Sequence, residues 1–515
     1  MAPTGTTSST SLPAEAQALE KYFVLDKARL NEIVSGFRRE FKDGLKNFGR
    51  DTAMIPSYCL SVPNGTEVGT FLALDLGGTN LRVCEIKLTG NHDFTLKQQK
   101  YKVSEALKHG DAKELFDYIA ESVDAFMTEV GTENGEDEAV HLGFTFSFPV
   151  EQTALDKGKL LTWTKGFACK NAIGHDVVKL LQDALDAKHI KVKCSALVND
   201  TVGTLLSRSY QHGPALIGAI FGTGTNGAYI DRVETIEKLG KDAIAESLKG
   251  GPDAGEFMVI NTEWGAIDNG RHVLPVSPFD NKLDRESINP RKQAFEKMVS
   301  GMYLGEIVRN MLLYLIDFSV LFDGHSSSIM NTHYGLDTAL VSEVEAAKSD
   351  DEVIKVLTND LGMAKEVVKP ADVEIFKWAC RMVSSRAASL SACALAAVIL
   401  HTGQAQSKGT NDTIDIGMDG SVAEFLPFFE ERMRAALRLI LGDDGEKRVK
   451  MGLAKDGSGV GGKFAVSLPA TAAVGLSPYT LSIAALCALQ AKKAETANNG
   501  QPVRPVSKKM DALVP

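Results

Sequence analysis

The stretch A-I-F-G-T-G-T-N-G-A-Y-I, residues 219–230, carries Gly222, Gly224 and Gly227 at the spacing G-x-G-x-x-G. In a dinucleotide-binding unit that spacing closes a strand and opens a helix, whose N-terminus holds a pyrophosphate. Here L-I-G-A-I-F before the glycines reads as a strand. A-Y-I-D-R-V after them, with Ala228, Tyr229, Ile230 and Val233, reads as a second strand. The glycines therefore turn a β-hairpin, which argues against the dinucleotide reading. A protein-kinase glycine loop is also a hairpin, but the V-A-I-K, H-R-D and D-F-G segments it works with are absent from the chain. A glycine-rich turn of another kind remains, one that aims several backbone N–H groups at an anion.

Length and composition bound the rest. A chain of 515 residues is too long for one ordinary core, so two lobes are expected. Its hydrophobic (44%) and charged (24%) fractions are those of a soluble globular protein. A net charge of −10 argues against a nucleic-acid partner and against anchoring on an anionic membrane. Seven cysteines (59, 84, 169, 194, 380, 393 and 487) are scattered without a C-x-x-C pair, which points to reduced thiols and a cytoplasmic setting. Residues 1–21 read as a disordered leader without the pattern of a secretory signal. Phe464–Ala491 lacks any charge and is long enough to span a bilayer, yet Pro469, Gly475, Pro478 and many Ser/Thr make it a poor span, so no membrane is expected.

Periodicity places the elements. Leu30, Ile33, Val34, Phe37, Phe41, Leu45 and Phe48 mark an amphipathic helix from about Asp26. Segments 71–75, 81–88 and 94–103 read as three hairpin-linked strands, followed by a helix marked by Leu115, Phe116, Ile119, Val123, Phe126 and Val130. Segments 140–146 and 192–198 read as further strands, with a helix near Asp176–Lys188 between them. After the 219–230 hairpin, helices are expected around 291–321, 372–402 and 422–441, with a strand and turn over 412–421. This is α/β with mixed sheets, not alternating βα units.

L-D-L-G-G-T-N-L-R-V, residues 74–83, repeats the chemistry of 219–230: two close glycines, a threonine and an asparagine between strand residues. Two such turns, each opening a lobe, suggest a pair of phosphate cradles facing one cleft. Asp75 beside the first supplies hard oxygen for Mg²⁺, directly or through water.

These two turns resemble the phosphate motifs of the hexokinase family, within the two-lobed actin-like, ribonuclease H-like ATPase fold, and the wording is most like that of the fungal glucokinases. F-S-F-P-V (146–150) with T-W-T-K-G-F (162–167) is similar to the family's sugar signature, and L-V-N-D-T-V-G-T-L (197–205) to its catalytic segment. I-N-T-E-W-G-A (260–266) and F-E-K-M-V-S-G-M-Y-L-G-E (295–306) are similar to its two glutamate motifs. I-G-M-D-G-S-V (416–422) and K-D-G-S-G-V-G (455–461) are similar to its adenosine side. The resemblance runs from about Tyr22 to Gly461.

What the resemblance implies is an ATP- and Mg²⁺-dependent kinase acting on glucose, with mannose and fructose as further candidates, as a monomer or weak dimer. The sugar contacts would be Ser147, Thr164, Lys165, Asn199, Asp200, Asn226, Glu263 and Glu296; catalysis would rest on Asp200 as base and Lys165 as the positive group. The nucleotide would meet Asp75, Gly77, Gly78, Thr79, Asn80, Lys100, Gly222, Thr223, Gly224, Thr225, Gly420, Ser421, Ser458 and Gly459. Taken singly these residues have plainer readings: Asn199 as a turn cap, Glu296 as an exposed helix residue, Lys100 as an exposed strand lysine. The implied organisation is residues 22–68 at the start of the large lobe, 69–205 as the small lobe, 206–456 as the large lobe, a helix over 484–496 packed on the small lobe, and a flexible tail from 497. Crossings between lobes would fall near Val68, Thr204–Ser207 and Lys455–Asp456.

The chain departs from the family at Gly462–Ile483, which interrupts the run from the last glycine turn into the final helix. A translated, unspliced intron accounts for it: Gly462-Lys463-Phe464 can be encoded by a splice-donor sequence and Ile483-Ala484 by one ending an acceptor. The interruption gives a rival reading its best support, a sugar-sensing regulator that binds hexose without turnover. An actin- or chaperone-like ATPase would leave the 146–167 sugar signature unused.

Overall fold

A computed structural model of the chain describes residues 12–77, 80–131, 139–146, 148–163, 166–242, 256–406 and 413–453. In chain order its strands are β1 (Ile55–Pro56), β2 (Val68–Leu76), β3 (Asn80–Gly90), β4 (Asp93–Lys102), β5 (Val140–Phe146), β6 (Val150–Ala154) and β7 (Lys157–Leu160). There follow β8 (Val192–Val198), β9 (Ile217–Phe221), β10 (Thr225–Arg232), β11 (Phe257–Asn261), β12 (Ile414–Asp419) and β13 (Val449–Leu453). The principal helices are α1 (Lys27–Lys46), α2 (Ala112–Val130), α3 (Val177–Ala187), α4 (Asp200–His212), α5 (Gly301–Asp317), α6 (Pro370–His401) and α7 (Phe429–Lys447).

The strands sort into a sheet ordered β4-β3-β2-β5-β8 and a sheet ordered β1-β11-β10-β9-β12-β13. Each opens on the hairpin expected from its glycine turn, β2–β3 and β9–β10, both antiparallel. The first sheet is covered on both faces over β2, β3, β5 and β8, while its edge strand β4 is polar and largely exposed. Leu72, Leu74 and Val83 face α2 and α3 through Leu115, Phe116, Ile119, Leu181 and Leu185. Phe71, Ala73, Cys84 and Ile86 face the other way, toward Val202, Leu205 and Leu206 of α4. Helix starts follow capping chemistry: Asp26, Asp111, Asp176 and Asn199 each accept a backbone N–H of the first turn. Among the described residues α6 alone is long and apolar enough to cross a membrane, but its most apolar window is 83% buried, which makes it the core helix of the second lobe.

Helix α4 lies between the two sheets. Gly218, Gly417 and Gly452 are register partners across β9, β12 and β13, and they form a floor without side chains. A Cβ on Gly218 would meet the Thr201 carbonyl oxygen at 2.6 Å, and one on Gly417 would meet Arg208 Cβ at 2.7 Å. Arg208 Nε then donates to Asp415 Oδ1 at 2.7 Å, both side chains being buried. At the far end of α4 the Tyr210 hydroxyl donates to the Asp93 carbonyl at 2.8 Å, tying the helix to the β3–β4 hairpin. The Gln152 amide donates to the carbonyls of Ser57 (3.3 Å), Ala154 (3.2 Å) and Leu197 (3.0 Å), so the chain's first passage between lobes is knotted to β8. The expected crossing at Thr204–Ser207 therefore falls inside a continuous buried helix rather than a loop.

Several elements differ from the periodicity reading. The helix expected over 291–321 breaks at Ser300, because the Gly301 N–H turns aside to donate to the Gly222 carbonyl at 2.7 Å. The helix expected over 422–441 breaks at Leu426–Phe428, where Pro427 forces the preceding residue into extended backbone. β6, β7, β11 and β13 carry too little alternation to announce themselves. Residues 12–21, assigned by composition to the leader, instead place Ala16 and Leu19 in the core of the large lobe. Gly462–Ile483 and the helix expected over 484–496 lie outside the described residues.

Two measurements check the α4 seat. Gly218→Ala drives a methyl into the helix backbone and should lower unfolding free energy by about 1–3 kcal/mol or more in urea denaturation. Arg208→Met alone leaves the buried Asp415 carboxylate only the long contact to Lys450 at 3.7 Å and should cost up to about 3–5 kcal/mol, whereas Arg208→Met combined with Asp415→Leu should recover a large part of that loss.

Candidate functional site

The glycines of the second turn are held by protein, not left open. The Thr225 N–H donates to Glu296 Oε2 at 3.0 Å, and a Cβ on Gly224 would sit 2.7 Å from the same oxygen. A Cβ on Gly227 would collide with the ring of Trp264. The indole Nε1 donates to Thr225 Oγ1 at 3.1 Å, and that hydroxyl donates on to the Ile220 carbonyl at 2.9 Å. On its outer side the turn meets the adenosine-side motif: a Cβ on Gly222 would be 3.2 Å from Gly420 Cα and 3.4 Å from the Ser421 nitrogen. The Met302 N–H at the start of α5 donates to the Thr223 carbonyl at 3.2 Å, completing the brace begun by Glu296 on the short helix before it.

Next to this turn stands a chain of amides and carboxylates. Asn226 Nδ2 donates to Asn261 Oδ1 at 2.8 Å, and Asn261 Nδ2 donates to Glu263 Oε1 at 2.8 Å. Asn226 Nδ2 also reaches Glu263 Oε1 directly at 3.3 Å. Glu263 occupies the left-handed region at φ +54°, a conformation uncommon for its residue type, and the buried Trp264 that follows fixes it there. Gln293, also left-handed at φ +56°, sets its side-chain oxygen against Gly265, one turn before Glu296. Burial, reinforced by the nearby Glu296 charge, drives the Tyr303 hydroxyl far above its usual range, so it stays protonated beside this cluster. Asn261 and Gln293 were not singled out from the sequence. Only their neighbours Glu263 and Glu296 stood in recognisable motifs, and an amide gives no periodic signal of its own.

In the other sheet the register lines up Lys100, Arg82, Asp75, Thr145 and Val198 across β4, β3, β2, β5 and β8. Register partners share a face, and Val198 belongs to the cluster against α4, so the whole row projects toward α4. Asp75 and Arg82 are buried, while Lys100 at the edge is exposed. The Thr145 hydroxyl is buried with no hydrogen-bond partner among the described residues. It was missed because a threonine inside an apolar strand reads as a β-former. With the Asp75 carboxylate it makes a set of hard oxygen donors of the kind Mg²⁺ takes, often through water. The turn beyond is closed by the Gly77 N–H donating to the Asn80 carbonyl at 3.0 Å.

Asn199 and Asp200 stand between these two clusters. Asn199 Oδ1 accepts from the Thr201 N–H at 2.9 Å and the Thr201 hydroxyl at 2.6 Å, so it does cap α4, and Asp200 is the first residue of that helix. On one side, Val198 is two strands from Asp75, about 10 Å. On the other, the first turn of α4 sits on Gly218, whose partner Ala228 shares its sheet face with Asn226. One helix N-terminus thus gathers the base candidate, the Asp75 row and the Asn226–Glu263–Glu296 cluster. Glu296 is not the exposed helix residue of its plainer reading: it is half-buried and bonded to the glycine turn. Gly78, Thr79, Ser147, Thr164, Lys165, Ser458 and Gly459 lie outside the described residues.

Comparison with known proteins bears on the whole chain. Sequence models of the family described as Hexokinase match residues 15–210 and 216–468. The glucokinase of Aspergillus niger is 41% identical over 486 residues, covering 88% of this chain and 96% of that protein. Glucokinase-1 of Kluyveromyces lactis is 39% identical, covering 85% of this chain and 95% of that protein. The solved structure of a Schistosoma mansoni hexokinase complexed with glucose matches with a TM-score of 0.74 at 34% identity, over 92% of this chain and 98% of that one. Identity of this extent runs through both sheets and the helix that joins them, and on that ground the chain belongs to the hexokinase family.

Proposed function

We propose that this chain is a glucokinase that transfers the γ-phosphoryl group of ATP to the 6-hydroxyl of glucose, with mannose and fructose as further substrates. The observation that carries this reading is the placement of Asp200 at the N-terminus of α4, between the Asp75–Thr145 row and the Asn226–Asn261–Glu263 amide–carboxylate chain. A hexose ring needs an acceptor or donor for each hydroxyl, and a site that pairs them rejects analogues lacking them. Asn226, Glu263 and Glu296 supply that array, with Asn261 and Gln293 fixing its geometry.

In the transfer, the 6-hydroxyl oxygen forms a bond to the γ-phosphorus as the bond to the β–γ bridging oxygen breaks, releasing ADP. Asp200 accepts the hydroxyl proton. A carboxylate is a weak base toward an alcohol, so Asp200 chiefly orients the hydroxyl and takes the proton late, which suits a loose transition state. Lys165 is assigned by family resemblance as the positive group near the γ-phosphate. Mg²⁺, held beside Asp75 and Thr145, would supply charge neutralisation to the phosphate oxygens. Water competes with the sugar as nucleophile, and closing the lobes over α4 excludes it. Cys84, Cys169, Cys194, Cys380 and Cys393 are unbridged and buried, which supports work in the reducing cytoplasm.

A coupled assay for ADP, with and without glucose, separates this kinase from a sugar-binding regulator: turnover that depends on glucose is expected, both with Gly462–Ile483 present and after its removal. Asp200→Ala should lower kcat by roughly 10²–10⁴-fold while calorimetry still detects glucose binding; near-normal turnover would remove Asp200 from the mechanism. Asn261→Ala, which removes the amide bridging Asn226 and Glu263 and leaves only their direct 3.3 Å contact, should raise KM for glucose on the order of tenfold with a smaller change in kcat.

A further inference from the structure

Strand β5 carries a hydroxyl that its own fold does not employ. Among the described residues six threonines are buried: Thr52, Thr145, Thr201, Thr204, Thr225 and Thr262. Five of them donate the hydroxyl hydrogen: Thr52 to Glu40, Thr201 to Asn199, and Thr204, Thr225 and Thr262 to the carbonyls of Asp200, Ile220 and Gly227. Thr145, 1% exposed, finds no hydrogen-bond partner among the described residues. Its neighbours along the strand, Phe144 and Phe146, are buried and apolar. Valine has nearly the same outline and the same preference for strands, and leaving a buried hydroxyl unbonded lowers stability. The packing of β5 gives no reason for the threonine.

Its place in the sheet supplies one. Thr145 is the register partner of Asp75 on one side and of Val198 on the other, in the row that projects toward α4. One strand spacing, about 5 Å, separates it from each. Gly143, two residues back on the same face, pairs with Ala73 and Ala196 and brings no polar side chain. The polar group that the register sets beside Thr145 is therefore the buried Asp75 carboxylate. A carboxylate accepts hydrogen bonds, and a hydroxyl can accept one too, so the two oxygens together suit a water that donates both its hydrogens. A water bound to a cation is of that kind, since its oxygen faces the metal, and Mg²⁺ usually keeps several such waters. Resting on the kinase reading above, we propose that Thr145 is a positioning residue for the metal–nucleotide complex. Its hydroxyl accepts one hydrogen from a water of the Mg²⁺ shell, and Asp75 accepts the other. The hydroxyl thus lowers the stability of the ligand-free strand and gains its hydrogen bond in the loaded enzyme.

The test pairs two measurements on the full chain. Calorimetry at saturating glucose follows binding of a non-hydrolysable ATP analogue, once with Mg²⁺ and once with EDTA, and a thermal melt without ligands reads stability. Thr145→Val keeps the outline and removes the hydroxyl. It should cut the tightening that Mg²⁺ gives the analogue by about tenfold or more, leave metal-free binding unchanged, and raise the melting temperature by roughly 1–3 °C. Thr145→Ser keeps the hydroxyl and loses the methyl, so it should retain the Mg²⁺ effect and melt lower than wild type. A threonine that serves only the fold would move the melting temperature alone. The proposal falls if Thr145→Val keeps the wild-type Mg²⁺ effect, if the valine and serine variants lose it equally, or if Thr145→Val melts below wild type. Wild type that makes ADP only with glucose, yet binds the analogue equally with and without Mg²⁺, overturns this role of Thr145 and leaves the kinase reading standing. Absence of glucose-dependent ADP overturns both.

Discussion

Helix α4 can lie between the two sheets only because the strand positions beneath it carry no side chains. Gly218, Gly417 and Gly452 stand side by side, and a methyl group on the first two would enter the backbone or the Arg208 stem. That close approach buries Arg208, and a buried cation is tolerable only against a partner, which Asp415 supplies. The glycine floor and the ion pair are thus one constraint. The floor sets the height of the helix, and the pair fixes its position along the strands.

Everything at the cleft inherits that position. The N-terminus of α4 presents Asn199 and Asp200 at the carboxyl end of β8, in line with the row through Asp75. The same first turn rests over the hairpin that carries Asn226. Leu205 and Leu206 join one apolar cluster with Phe71, Ala73 and Ile86 of the first sheet and Ala228 and Val259 of the second, while Thr201 and Arg208 meet the glycine floor, so α4 is core to both sheets at once.

The second glycine turn shows how one motif can serve two ends. Gly224 and Gly227 are small because Glu296 and Trp264 press against them. The amide of buried Thr225 is spent on a carboxylate, not on an anion from solution. The turn therefore lies in contact with Gly420 and Ser421 at its Gly222 end and with Glu296 at its Gly224 end.

The sequence alone determined the elements with strong local signals: both glycine hairpins, the strands at 140–146 and 192–198 to the residue, and the helices capped by Asp26, Asp111 and Asp176; the Asn199-capped α4 was not among the helices its periodicity announced. The matched order of motifs pointed to the family and to most candidate residues, because each sits in a short segment with a recognisable pattern. What the sequence did not reveal depends on contacts distant along the chain. Asn261 matters through Asn226, Gln293 through Gly265, and Thr145 through the strand beside it, and none of these pairings leaves a periodic trace. The break at Ser300 has the same origin, since a hydrogen bond to Gly222 outcompetes helix continuation. Local propensity fixes the pieces. The choice of which glycine lies under which helix, and which carboxylate neutralises which cation, belongs to the packed tertiary structure, where burial makes an unpaired group too costly to keep.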